Sequence, residues 1–124
     1  MVDEISTEEL RRRLGDDGVQ VVDIREEHET SQTDDRFVPD AVHIPMSRLT
    51  MELSEHDWSD EIYIICRHGN SSIQAARLLK AYEGVSDDAT VASVAGGYLD
   101  WEWEDELVSR EGEEEKKAKK AAAA

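Results

Sequence analysis

Ile62-Tyr63-Ile64-Ile65 runs without interruption into Cys66-Arg67-His68-Gly69-Asn70-Ser71-Ser72, and a helix-forming stretch over residues 73–83 follows. A β-branched and aromatic run with no polar face does not suit a sheet with one wet side; it needs cover on both faces. That places it in the middle of a mainly parallel sheet. The rest of the chain agrees. Ser6-Thr7-Glu8-Glu9 has the form of a capping box, so a helix is expected after Ser6, carrying Leu10 and Leu14 and ended by Gly15 and Gly18. Val19-Gln20-Val21-Val22-Asp23-Ile24 reads as a buried strand, residues 25–35 as a polar loop, and Ala41-Val42-His43-Ile44 as a short strand closed by Pro45. Ser47 is placed to cap a small helix containing Leu49 and Leu53. The helix after Cys66 shows an apolar stripe at Ala75, Leu78, Leu79 and Tyr82, with Gly84 at its end. Thr90-Val91-Ala92-Ser93-Val94 is a further strand, and Gly96-Gly97 opens a last helix with Tyr98, Leu99, Trp101 and Leu107. Strands alternating with helices predict an α/β fold, a central mainly parallel sheet flanked by helices on both faces, in one domain over residues 1–110. Residues 111–124, a charge run and then four alanines, read as frayed helix or disorder without a function.

In such sheets the ligand crevice lies at the carboxyl ends of the strands. Cys66, the one cysteine of the chain, stands at such an end. The N–H groups of a tight turn and of a helix N-terminus carry partial positive charge. A field of that kind favours a thiolate, which is the reactive form of a cysteine. The pattern points to nucleophilic cysteine chemistry on an anionic or sulfur-bearing substrate. The plainer reading is packing, because free cysteine is among the most buried residue types. An inert core cysteine, however, has no use for Arg67, His68, Gly69, Asn70 and Ser71 in a row behind it.

Charge is the second informative feature. Thirty acidic residues stand against fourteen basic ones, a net charge of −16. Residues 111–124 hold four Glu and four Lys and sum to zero, so residues 1–110 carry the whole excess, with 26 acids and 10 bases. Lys80 is the only lysine among those ten. So acidic and lysine-poor a surface resembles that of proteins from salt-loving archaea; the alternative is an acidic face for a basic partner. Phosphates are repelled by it, which argues against nucleic-acid binding. No apolar run approaches the roughly 18 residues of a membrane span. The acidic start of the chain lacks the features of a secretion signal, and a lone free thiol fits a reducing compartment, so a cytoplasmic location is expected. His28, His43 and His56 are too scattered to suggest a metal site.

Five segments in order carry a family resemblance. They are Asp23-Ile24-Arg25, the stretch from Val38-Pro39-Asp40-Ala41 to Pro45, the Cys66–Ser71 loop, Ala75-Ala76-Arg77-Leu78-Leu79, and Gly96-Gly97 with Trp101. Together they resemble the single-domain rhodaneses, which are sulfurtransferases, over residues 4–107. The resemblance implies a cycle without cofactor or metal. The Cys66 thiolate attacks the outer sulfur of thiosulfate or of a persulfide donor, holds it as a persulfide, and passes it to cyanide, a thiol or a protein partner in a sulfur relay. It implies that the loop formed by Arg67, His68, Gly69, Asn70, Ser71 and Ser72 binds the substrate, with loop amides cradling the sulfur. Arg67, the nearest fixed cation, either faces the sulfonate or is a solvated loop arginine, and His68 either donates to the substrate or only shapes the turn. Asn70 and Ser71 are expected to brace the loop by side-chain to backbone hydrogen bonds. Asp23 and Arg25 are implied to be structural, holding loops near the site. Two departures lie outside the cysteine loop: Arg36-Phe37 stand where family members commonly carry Gly-His, and Asp40 replaces a glycine. They bear on the entrance and the partner more than on the chemistry.

Two rivals are separable. A cysteine phosphatase needs an arginine six positions after its cysteine to clamp phosphate oxygens, and position 72 is serine. A docking or regulatory module of the same fold does not need the cysteine at all.

The charge gives a first prediction. The Debye length falls from about 10 Å at 0.1 M salt to about 3 Å at 1 M. Screening a domain that repels itself favours the compact state. Thermal melts followed by circular dichroism across a potassium chloride series should therefore show a rising midpoint. A flat or falling midpoint contradicts the salt-adapted reading of the surface.

Overall fold

The computed structural model describes residues 3–26 and 36–109. The elements in chain order are β1 (Asp3–Ile5), α1 (Thr7–Arg13), β2 (Val19–Asp23), β3 (Arg36–Phe37), β4 (Val42–His43), α2 (Met46–Glu52), β5 (Glu61–Ile65), α3 (Ser71–Ala81), β6 (Thr90–Val94) and β7 (Val108–Ser109). Short 3-10 turns follow α2 at Leu53–Glu55 and punctuate the end of the domain at Gly97–Asp100 and Glu104–Glu106. Five strands form one sheet in the order β1-β6-β5-β2-β4, every neighbouring pair parallel. β3 and β7 form a separate antiparallel pair.

β5 lies at the centre, as its apolar run requires. Its side chains alternate between two cores. Ile62, Ile64 and Cys66 pack with Leu49 of α2 and with Ala75, Ala76 and Leu79 of α3. Tyr63 and Ile65 pack on the other side with Leu10 of α1, Val94 and Trp101. Helices thus cover both faces, and the predicted α/β architecture is the one observed. No helix among the described residues is long and apolar enough to cross a membrane.

Several local expectations need correction. α1 begins after Ser6 as read, with Glu9 N–H donating to Ser6 Oγ at 3.1 Å, but the Glu9 carboxylate turns to Arg12 and Arg13 and leaves the capping box half closed. The buried stripe of α3 is Ser72, Ala75, Ala76 and Leu79; Leu78 is exposed, because small residues let this helix lie close on β5 and β6. Ser47 does not cap α2 but lies inside it. Among the described residues no α-helix follows Gly96-Gly97. Gly96 and Gly97 have φ of +76° and +56°, and the chain makes two 3-10 turns with Leu99 exposed. The short strands β1, β3 and β7 carry too few alternating residues to be read from sequence. The expectations for residues 27–35 and 111–124, and for His28, lie outside the described residues.

Asp40 has φ of +66° in a turn where Ala41 N–H donates to Val38 O at 3.2 Å. Proline at the second place and a positive φ at the third define a type II turn, which favours glycine there and tolerates Asp better than most residues.

A buried polar cluster fastens the segments that leave the sheet. Asp23, fully buried at the end of β2, accepts from the Arg25 backbone N–H at 3.0 Å and from the Arg25 guanidinium at 2.8–3.2 Å. Arg25 also donates to the carbonyl of Arg36 at 2.8 Å and lies 3.8 Å from the centre of the Tyr98 ring. The Tyr98 hydroxyl donates to Asp23 Oδ2 at 2.8 Å and accepts from Val38 N–H at 3.0 Å. Burial, and then the neighbouring Asp23 charge, push the Tyr98 phenol well above its ordinary range.

Tyr98→Phe should therefore destabilise the fold by about 1–3 kcal/mol, because it strands a buried N–H and removes a donor to a buried carboxylate. The phenol is neutral in both folded and unfolded chains below its ordinary value of about 10, so its stabilising contribution is complete there. Above that pH the unfolded chain ionises first, and the contribution declines. Denaturant melts of the two proteins should differ most below about pH 10 and converge above it; a difference independent of pH contradicts this account.

Candidate functional site

The parallel register of β2, β5 and β6 brings Asp23, Ile65 and Val94 to the same edge of the sheet. Cys66 follows β5 there, on the face covered by α2 and α3. Its residue is 6% exposed, so the sulfur sits at the floor of the loop. Gly69 N–H donates to Cys66 Sγ at 3.1 Å, and Ser72 Oγ lies 3.4 Å from the same sulfur. Ser72 begins the buried side of α3, and its hydroxyl lies 2.6 Å from Ser93 Oγ on β6. Both serines are fully buried.

A second turn holds this loop by its backbone. Tyr98 N–H donates to Cys66 O at 2.9 Å, and Leu99 N–H donates to Arg67 O at 3.1 Å. The approach leaves no room for side chains: a Cβ on Gly97 would lie 2.0 Å from Cys66 O, and one on Gly69 would lie 2.7 Å from Gly96 N. Gly69 also has φ of +93°. Both glycines are needed for contact as well as conformation.

A cleft of about 260 Å³ opens above the sulfur. Ile24 and Met46 give it an apolar wall. Arg67, His68, Asn70 and Ser71 line it from the loop, and Arg25 and Glu26 from the end of β2. Gly69 and Ser72 lie beneath it rather than on its wall. Asp23 lies behind it and reaches it only through Arg25. Asn70 makes no side-chain capping bond to α3, contrary to the bracing role expected of it; the loop is braced from the Gly97–Asp100 turn instead. Arg67 is exposed and has no ion pair among the described residues, whereas Arg11, Arg12 and Arg13 are bound to Glu106, Glu8, Glu9 and Glu61. Among the described residues no three His, Cys, Asp or Glu side chains gather as metal ligands.

Three residues of this neighbourhood escape sequence reasoning. Glu26 accepts from Ser47 N–H and Oγ–H, each at 2.8 Å, and ties the end of β2 to the start of α2. Tyr98 reads as core packing because nothing local marks its hydroxyl. Ser93 leaves one faint signal, a polar residue inside an otherwise buried strand.

The fold and the loop have relatives. The rhodanese-like domain family matches residues 6–104. A sulfurtransferase of Allochromatium vinosum is 35% identical over 82% of this chain and 89% of its own length. YrkF of Bacillus subtilis is 34% identical over 81% of this chain, which spans only 51% of that protein. Among solved structures, a rhodanese-like domain protein of Staphylococcus aureus superposes with a TM-score of 0.69 at 28% identity, covering 88% of this chain and 99% of its own. The match covers every element that builds the cleft, and the chain belongs to the rhodanese-like domain family.

Proposed function

We propose that this domain is a sulfurtransferase whose sulfur is carried on Cys66. The observation that carries the reading is the seat of Cys66 Sγ at the floor of an open cleft, accepting from Gly69 N–H beside the N-terminus of α3. That seat suits a sulfur bearing negative charge, and the wall above it has room for a small donor. The Cys66 thiolate attacks the outer sulfur of thiosulfate; the S–S bond breaks and sulfite leaves with the electron pair. The product is a Cys66 persulfide. An acceptor thiolate, or cyanide, then attacks the outer sulfur and regenerates the Cys66 thiolate. The two halves balance without an added oxidant or reductant, and each is an ordinary nucleophilic displacement.

Arg67 is the substrate-facing cation in this reading. It lines the cleft, is exposed, and is not committed to a carboxylate among the described residues. A small persulfide donor uses the same sulfur without the sulfonate. The sulfurtransferase of Allochromatium and YrkF, provisionally named a sulfur carrier, support transfer in general. The choice of thiosulfate rests on the loop and on Arg67.

Intact-mass measurement tests the reading. Folded protein incubated with thiosulfate or a persulfide donor should gain the mass of one sulfur atom and lose it on addition of cyanide, and Cys66→Ala should gain none. An unchanged mass with every donor would favour a docking module instead.

Arg67→Ala should raise the KM for thiosulfate by roughly three- to tenfold, a discounted charge-assisted contact at an exposed position. Turnover of a small neutral persulfide should change much less. Equal losses with both donors would assign Arg67 to loop structure rather than to sulfonate capture. Because the domain as a whole is strongly negative, salt should also lower the thiosulfate KM over the range in which the protein stays folded. A KM that climbs steadily with salt contradicts this.

A further inference from the structure

Beneath Cys66 lies a chain of hydroxyls that does not line the cleft. Sγ is 3.4 Å from Ser72 Oγ, and Ser72 Oγ is 2.6 Å from Ser93 Oγ. Ser93 lies on β6, and its hydroxyl has no further partner among the described residues. Each of the two serine hydroxyls thus has at least one partner.

The proton count along this chain depends on the state of the sulfur. If Sγ carries a proton and donates it to Ser72 Oγ, then Ser72 donates to Ser93, and the Ser93 proton points at nothing. If Sγ is a thiolate, Ser93 donates to Ser72 and Ser72 donates to Sγ, and each proton has an acceptor. Gly69 N–H adds a second donor to the same sulfur. A neutral thiol that turns its own proton toward the cleft also accepts from Ser72, but an ionised sulfur is the stronger acceptor, so the donors gathered on Sγ favour the thiolate. We infer that Ser93 is a positioning residue for the reaction: acting through Ser72, it turns a hydroxyl proton toward Cys66 and favours the acceptor form of its sulfur. The role deepens the sulfur-transfer reading given above, but its test does not depend on sulfur transfer.

The probe is iodoacetamide, a neutral alkylating agent that reports thiolate directly. Its rate with Cys66 is measured against pH for the full chain and for Ser72→Ala, Ser93→Ala and the double variant, each checked for a cooperative melt. Arg25, Glu26, Arg67 and His68 line the cleft above the sulfur and contribute their charges equally to all four proteins, so differences report the hydroxyls. Ser93→Ala should move the profile to higher pH and slow alkylation near neutral pH by roughly three- to tenfold. Ser72→Ala should do at least as much. The double variant should be no slower than Ser72→Ala alone, since Ser93 has no other route to the sulfur. Ser93→Thr, which keeps the hydroxyl, should restore most of the parent profile. An unmoved profile in Ser93→Ala overturns the proposal, and so does a double variant in which the two effects add. Failure of sulfur uptake with a normal shift in alkylation would reject the transferase reading and leave the hydroxyl chain standing.

Discussion

The site depends on one residue that touches two systems at once. Tyr98 uses its backbone N–H to hold the Cys66 carbonyl and its phenol to hold Asp23 and Val38. The first bond fixes the start of the cysteine loop; the second fixes the end of β2 and the segment that returns at β3. The cleft lies between these two fastenings. Such a connection works because both ends are buried, where a missing partner costs far more than a bond gains at the surface. It also explains the glycine pair before Tyr98. Only a turn without a Cβ at Gly97 brings the Tyr98 N–H within reach of the Cys66 carbonyl.

The charged residues divide along the same lines. Asp23 and Arg25 form a buried pair whose remaining hydrogen bonds are filled by Tyr98 and by the Arg36 carbonyl. A buried pair of this sort contributes specificity of arrangement more than net stability, and here the arrangement is the path of the chain around the cleft. At the surface, α1 spends its arginines on neighbouring glutamates. The cleft keeps Arg67. In a chain with 16 more acids than bases, Arg67 brings positive charge to the cleft that holds the sulfur.

The departures from the family pattern fall on this frame rather than on the cleft. Phe37 stacks on His43, their ring centres 6.2 Å apart, and β3 pairs with β7 through Arg36 and Phe37. Asp40 supports a turn that glycine would fit better. None of the three lines the cleft above Cys66. These positions lie on the flank of the domain and outside the lining of the cleft.

The apolar run at Ile62–Ile65 and the polar run behind Cys66 made the central parallel strand, the flanking helices and the end of the sheet at which Cys66 stands readable without coordinates, because both are local patterns that only one kind of sheet accommodates. The sequence likewise carried Arg67 directly behind the cysteine and the turn at Gly69. It did not carry the last two 3-10 turns, whose glycines resemble a helix start until the approach to the Cys66 carbonyl is seen. Nor did it carry Glu26 on Ser47, Ser93 under Ser72, or Tyr98 on Asp23. Those partners are 21, 21 and 75 residues apart. Only the register of parallel strands and the docking of one turn on another bring their polar atoms together, and no period or motif along the chain encodes a contact that the fold itself creates.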